Sequence, residues 1–344
     1  MSQVFEVRIT PHGRVVRAKA EQSILDAALD AGLNLPHSCK SGHCSSCRAR
    51  LLTGHIHYPH GTPLGLTVEE ARAGQVLLCQ ARALSDLTVD VRLVAAVTEV
   101  EIKTLPCRIE RMNPLAADVM QVFLRLPSVE ALDFQPGQYL DVLLEDGGRR
   151  SFSIANPPHD AGLIELHARY VPGGGFTERL FKELRPGALL RIEGPIGQFV
   201  YRRGTAPLIF IAGGTGFAPL KSMLRHMLEQ GVKREIHFYW GARRPTDLYE
   251  EALVLQWARS FPQFHFQAVL SESADQEVGE RQIGWVHEAV LARHPDLARH
   301  DIYAAGPPAL IEAIRATFPA AGARGDALFF DSFDYAPKSS SVNL

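Results

Sequence analysis

The sequence predicts a multidomain chain of α+β and α/β class: a small β-grasp domain, then a six-stranded antiparallel barrel, then a doubly wound parallel sheet. Three observations predict it. A loop with C-x4-C-x2-C spacing, Cys39, Cys44 and Cys47, falls early, and one further cysteine, Cys79, follows after 31 intervening residues. Strand-like runs at 105–112, 119–126, 138–144, 150–155, 163–170 and 188–193 are separated by turn residues, the rhythm of an antiparallel barrel. From Ala206 the rhythm changes, with apolar strands at 207–212, 235–241, 264–270, 301–305 and 327–331 alternating with helical stretches at 217–230, 248–259, 284–293 and 308–318.

At 344 residues the chain holds two or three domains, expected at 1–95, 104–204 and 205–338 with a connector near 94–103. Its 36 basic and 38 acidic residues nearly cancel, so no basic excess exists to hold nucleic acid or an anionic membrane surface. No apolar run reaches the roughly 18 residues of a membrane span. A monomeric cytoplasmic enzyme with no membrane or nucleic-acid partner is therefore expected.

In chain order, Val4 to Ile9 and Val15 to Ala20 alternate around Pro11-His12-Gly13 and read as a hairpin. Ser23-x-x-Asp26 opens a short helix closed by Gly32, and Thr67-x-x-Glu70 caps a second one ending near Gly74. The cysteine loop lies between them, followed by a strand near Arg48 to Leu52, and Leu87 to Leu93 is a last strand.

The cysteine spacing is the ligand pattern of a plant-type [2Fe–2S] centre, whose fourth thiolate arrives from a distant part of the fold. Ser41, Gly42, Ser45 and Ser46 let the backbone fold tightly and aim N–H groups at the sulfides. Structural zinc favours two close pairs of ligands, and Cys79 has no close partner. A disulfide framework would need an oxidising compartment and a denser cysteine content than 5 in 344. Cys107, in an apolar alternating run, reads as a buried strand residue.

Three further stretches, with two strand ends, suggest nucleotide sites. Arg150-Ser151-Phe152-Ser153 sets a guanidinium, an aromatic face and a hydroxyl at alternating strand positions, suited to a diphosphate, a flat ring and a ring nitrogen; it is equally the pattern of an ordinary half-buried strand. Pro172-Gly173-Gly174-Gly175-Phe176-Thr177 runs a glycine turn into a helix expected from Thr177 to Leu184, a phosphate site or a plain hairpin loop. Gly213-Gly214-Thr215-Gly216-Phe217-Ala218-Pro219 follows the first parallel strand and opens its helix, with Pro219 where the third glycine of a dinucleotide fingerprint would stand. Gly241 with Arg243, and Gly306 with Pro307, end neighbouring strands at the same sheet edge, where such sheets bind ligands.

With these motifs the chain resembles the ferredoxin-NAD(P)H reductase-like flavoproteins that carry an N-terminal plant-type ferredoxin domain, over nearly all of Val4 to Phe333. It is similar to CDP-6-deoxy-3,4-glucoseen reductases and to reductase components of aromatic-ring oxygenases. The resemblance implies FAD on Arg150 (diphosphate), Phe152 (isoalloxazine face) and Ser153 (near N5), with Gly174 and Thr177 as a second diphosphate contact. It implies NADH or NADPH on Gly214, Thr215, Gly216 and Pro219, and on the strand ends Gly241, Arg243 and Asp247, Gly306 and Pro307. Phe333, in Asp331-Ser332-Phe333, is implied to cover the flavin, although it is equally placed to be a core phenylalanine. The family usually has tyrosine at the Phe152 position and commonly cysteine where this chain has Ala305. Electrons would pass from NAD(P)H through FAD and a cluster on Cys39, Cys44, Cys47 and Cys79 to a redox partner protein. That partner is a Rieske-type aromatic-ring dioxygenase or similar monooxygenase in one reading, and a deoxysugar dehydrase in the other.

Overall fold

The computed structural model describes residues 3–11, 13–37, 40–42, 45–91, 100–160, 162–272 and 281–333. Cys39, Cys44, most of the expected connector and the tail from 334 onward lie outside them.

The first module contains β1 (Val4–Thr10), β2 (Arg14–Lys19), α1 (Ile24–Asp30), β3 (Arg48–Thr53), β4 (Ile56–His57), α2 (Val68–Arg72), β5 (Gln75–Leu77), β6 (Arg82–Ala83) and β7 (Leu87–Asp90). Alternation buries Phe5, Val7 and Ile9 of β1, which pairs antiparallel with β2 and parallel with β7. The sheet order β2-β1-β7-β3-β5, with α1 packed across it, is a β-grasp. Both helix starts are capped as expected: Ser23 accepts from the Asp26 N–H, and Thr67 and Glu70 form a reciprocal capping box.

The second module holds β8 (Lys103–Ala116), β9 (Val119–Arg125), β10 (Tyr139–Leu143), β11 (Arg149–Ser153), β12 (Ile164–Arg169), α3 (Phe176–Lys182) and β13 (Leu189–Ile196). All six expected strands form, in the order β11-β10-β13-β8-β9-β12, and a bridge between Ile154 and Leu166 links the two edges. The helix after the glycine turn starts at Phe176 and ends at Lys182, because Phe176 is drawn into the barrel core beside Leu180. Cys107 is buried in β8, and burial pushes its thiol up to about 12.

The third module is a six-stranded parallel sheet of β14 (Leu208–Gly213), β15 (Ile236–Ala242), β16 (Phe264–Leu270), β17 (Gln282–Ile283), β18 (Asp301–Gly306) and β19 (Leu328–Ser332), in the order β17-β16-β15-β14-β18-β19. Helices α4 (Phe217–Glu229), α5 (Glu251–Ser260), α6 (Val286–Arg293) and α7 (Pro308–Thr317) connect these strands. β14 is apolar on both faces: Leu208, Phe210 and Ala212 enter one core while Ile209 and Ile211 enter the other. Strand order reverses between β14 and β18, which opens a crevice at their carboxyl ends. Among the described residues no helix is long and apolar enough to cross a membrane.

A buried charge cluster joins the barrel to the parallel sheet. Lys221 of α4, 4% exposed, sets its Nζ 2.8 Å from Glu165 of β12 and 2.8 and 2.9 Å from the two Glu250 oxygens. His167 Nε2 donates to the same Glu165 oxygen at 2.9 Å. Burial alone would raise the Glu165 carboxyl, yet the His167 hydrogen bond and the Lys221 ammonium outweigh it and hold it far below the usual range. Glu165, His167 and Glu250 have the spacing of metal ligands, and the Lys221 ammonium supplies the cation. Lys221→Met strands two carboxylates in this seam, and breaking a buried pair in that way costs about 3–5 kcal/mol. A lowered melting temperature of the barrel and parallel sheet is expected by calorimetry; an unchanged one would mean the seam is hydrated.

Candidate functional site

One cleft of 1750 Å³ is lined by all three modules. The β-grasp module contributes Lys40, Ser41 and Gln80, the barrel Arg150 to Ser153 and Gly173 to Thr177, and the parallel sheet Gly213 to Thr215, Gly241 and Pro307. Residues expected at separate motifs therefore share one space.

On the barrel wall, the period of β11 sends Arg150 and Phe152 to one side and Ser151 and Ser153 to the other. The Phe152 ring lies 5.7 Å from that of Phe176, so the strand and the glycine turn make one apolar surface. Ser153, buried, donates to Asp331 Oδ2 at 3.3 Å, which ties this strand to the end of β19. Thr177 Oγ1 receives the Val171 N–H at 3.2 Å, closing the Gly173–Gly175 turn on itself. Arg150 and Gly174 both line the cleft. Phe333 is half-buried, lines the same cleft, and anchors its N–H on the Gly306 carbonyl at 2.8 Å, so it is not a core residue.

On the sheet wall the strand-to-helix turn is compressed. A Cβ on Gly216 would lie 1.9 Å from the Ala305 carbonyl oxygen, so no other residue fits there without moving β18. Gly214 to Gly216 form a 3-10 turn that feeds α4, with Pro219 in its first turn, and Trp240 Nε1 donates to the Gly214 carbonyl at 3.0 Å. N–H groups at this helix start suit an anionic diphosphate. Beyond Gly241, Asp247 caps its turn by accepting the Arg244 N–H at 3.2 Å, and its carboxylate stands 3.8 Å from Arg243 Nε. Both Arg243 and Asp247 line the cleft.

In the β-grasp module, Cys47 and Cys79 are buried. The Leu78 N–H bonds to the Cys47 carbonyl at 3.1 Å, which sets the chain at Cys79 beside Cys47 although 31 residues part them in sequence. Lys40 and Ser45 are the two non-glycine residues with positive φ among those described, at 56° and 59°, so the loop curls sharply on both sides of Gly42. Buried thiols beneath a tightly curled loop fit an iron–sulfur cluster. Cys39 and Cys44 lie outside the described residues.

Of the cleft residues not singled out from the sequence, Arg169 and Trp285 bear most on ligand binding. Arg169, at the end of β12, places its guanidinium 3.3 Å from where a Gly214 Cβ would be, and its Nη2 is buried with no hydrogen-bond partner among the described residues. Its Nε stands 3.5 Å from Asp118, so one edge of the guanidinium is ion-paired while the Nη2 donor beside the helix start fits an anionic ligand. Its signal was only the sequence proximity to Pro172-Gly173-Gly174. Trp285, 61% exposed, presents an indole at the cleft mouth just before Val286, which packs under Gly241.

Comparison with known proteins covers each module. A 2Fe-2S iron-sulfur cluster binding domain matches residues 7–84, an oxidoreductase FAD-binding domain 106–201, and an oxidoreductase NAD-binding domain 210–316. The chain is 38% identical to a CDP-6-deoxy-L-threo-D-glycero-4-hexulose-3-dehydrase reductase of Yersinia pestis, over 96% of this chain and 98% of that protein. It is also 38% identical to terephthalate 1,2-dioxygenase reductase component 2 of a Comamonas species, over 86% and 87%. Among solved structures, the Amycolatopsis cytochrome P450 reductase GcoB superposes with a TM-score of 0.77 at 32% identity, covering 96% of this chain and 98% of that one.

Proposed function

The chain belongs to the oxidoreductase family that joins a [2Fe–2S] domain to FAD-binding and NAD-binding domains, and from that membership we propose that it feeds electrons from NADH to a partner oxygenase. The observation that carries this reading is the single cleft into which the cluster loop, the barrel strand and the dinucleotide turn all open. FAD, when bound, accepts electrons as a pair and releases them singly, which suits it to stand between a hydride donor and a one-electron cluster.

The side chains then have the following parts. Arg150 and the turn at Gly174 and Thr177 hold the flavin diphosphate, and Phe152 lies along its ring. The Ser153 hydroxyl, which donates to Asp331, would be placed beside the reacting edge of the ring. Gly214, Thr215, Gly216 and Pro219, with Gly306 and Pro307, bring the backbone close to the dinucleotide, and Arg169 neutralises its diphosphate. Gly241, Arg243 and Asp247 meet the ribose. The Asp247 carboxylate draws Arg243 toward itself and opposes an added 2′-phosphate, which favours NADH over NADPH. Phe333, which lines the cleft, would cover the flavin face when FAD is bound. Cys39, Cys44, Cys47 and Cys79 would hold the cluster through their thiolates, and its irons would supply the one-electron chemistry. No side chain acts as a covalent catalyst. The module limits 1–95, 104–204 and 205–338 enclose the three matched domains. The enzyme works as a cytoplasmic monomer apart from its redox partner.

A second reading, reductase of a deoxysugar dehydrase, is favoured by the longer match to the Yersinia protein, 96% of this chain against 86% for the dioxygenase reductase at equal identity. Supplying the enzyme with a Rieske-type oxygenase or with a dehydrase of CDP-4-keto-6-deoxyhexose, and comparing NADH-dependent turnover, separates the two.

Cys79→Ser is expected to lose the red-brown cluster absorbance and cytochrome c reduction while keeping FAD and NADH-to-ferricyanide activity. Loss of ferricyanide reduction with FAD still bound would place the cluster before the flavin, and a higher kcat/KM with NADPH would overturn the choice of coenzyme. Phe333→Ala is expected to bind nicotinamide more tightly, release it more slowly and leak more peroxide; unchanged affinity in stopped-flow reduction would make Phe333 a packing residue.

A further inference from the structure

The β-grasp module meets the barrel along a seam whose centre is fully buried. His37, 1% exposed, stands two residues before Cys39. Its Nδ1 lies 2.6 Å from the Leu35 carbonyl oxygen and its Nε2 2.7 Å from the Tyr139 hydroxyl. A carbonyl can only accept, so Nδ1 carries a proton, and in the neutral ring that full burial favours Nε2 receives the Tyr139 O–H. Both ring nitrogens are then satisfied by one neutral tautomer, and the hydroxyl has a single direction to point.

The far side of this bond is the flavin strand. Tyr139 opens β10, and its register partner on β11 is Ser153. Its ring has space because Gly197, with φ of 93°, carries no Cβ; one would fall 2.9 Å from Tyr139 Cε1. The same seam is pinned on either side: Gln198 Nε2 donates to the Asn34 carbonyl at 2.8 Å, and Lys40 Nζ lies 3.5 Å from the buried Asp141. The outer face of the loop is held to the parallel sheet, where Ser46 Oγ donates to the Phe330 carbonyl at 3.1 Å. The Lys40–Asp141 pair is long and its ammonium is partly exposed, whereas the fully buried hydrogen bond has one geometry.

We propose that the Tyr139–His37 hydrogen bond is the positioning joint for electron transfer between flavin and cluster, holding the β-grasp segment at His37, two residues before Cys39 in sequence, against the strand paired with Ser153. The inference rests on the electron route given above and assigns no redox change to either side chain. The joint sets distance and orientation between modules, so it acts on the transfer from flavin to cluster, and neither Tyr139 nor His37 has a part in the hydride step.

The test uses the full-length holoenzyme with Tyr139→Phe, which keeps the ring and removes the hydroxyl. In anaerobic stopped-flow with NADH, flavin reduction is expected to keep its rate while the later reduction of the cluster slows by roughly tenfold, the factor that one buried hydrogen bond represents. Hydrogen exchange read by mass spectrometry is expected to rise in peptides covering 34–42 and 139–143, with iron and FAD content unchanged. His37→Phe is expected to reproduce the defect, and His37→Gln, which restores an acceptor near Nε2, to recover most of the rate. Unchanged cluster reduction in Tyr139→Phe would overturn the proposal, as would equal slowing of both steps or a His37→Gln variant no better than His37→Phe. Failure of flavin reduction by NADH in the parent enzyme would instead overturn the electron route itself.

Discussion

Lys221 carries a buried ammonium across the seam between the antiparallel barrel and the parallel sheet, and the geometry of the cleft follows from where that charge must sit. Glu165 belongs to β12, Glu250 starts α5, and Lys221 lies on the helix that begins at the dinucleotide turn. None of the three can be buried without the others, because an isolated charge in this environment costs several kcal/mol. Satisfying them together fixes Gly214 to Gly216 opposite the strand of Arg150 to Ser153. The Ser222 hydroxyl, next along α4, adds a 2.7 Å bond to the Asn156 carbonyl in the same seam. A hydride donor and its acceptor need to be held at contact, and a charge cluster with one low-energy arrangement serves that better than an apolar contact able to slide.

The β-grasp module is held differently, by hydrogen bonds from loop to loop. Asn34, His37 and Ser46 reach three separate elements, Gly197–Gln198, Tyr139 and Phe330, so the loop is fixed on more than one side. Burial holds the His37 imidazole down to about 3, with Lys40 adding to it, and the neutral ring needs no counter-charge. The centre of this seam is thus a neutral hydrogen bond, with the Lys40–Asp141 ion pair beside it.

Much of this was legible in the sequence because the elements concerned obey local rules. The caps at Ser23 and Thr67, the alternation of β1 and the apolar runs at Leu208 and Ile236 each follow from the nearest few residues. β4, β5, β6 and β17 were not foreseen, since strands of two or three residues have no period to detect and exist only through their partners. The candidate site divides the same way. The glycines at 214, 216 and 306 were visible as motifs, and the steric reason for Gly216, its approach to the Ala305 carbonyl, required the neighbouring strand. Arg169 and Trp285 become notable only when the fold turns them into the cleft. Tyr139 and His37 were invisible as a pair because 102 residues separate them.

The central claim is that the three modules form one electron path. Anaerobic titration of the full chain with NADH, followed by absorbance for the flavin and by electron paramagnetic resonance for the cluster, tests it most directly. The account predicts that NADH bleaches the flavin and also brings up the signal of the reduced [2Fe–2S] cluster. A flavin that bleaches completely while the cluster stays oxidised, in protein with a full complement of iron and sulfide, would contradict it.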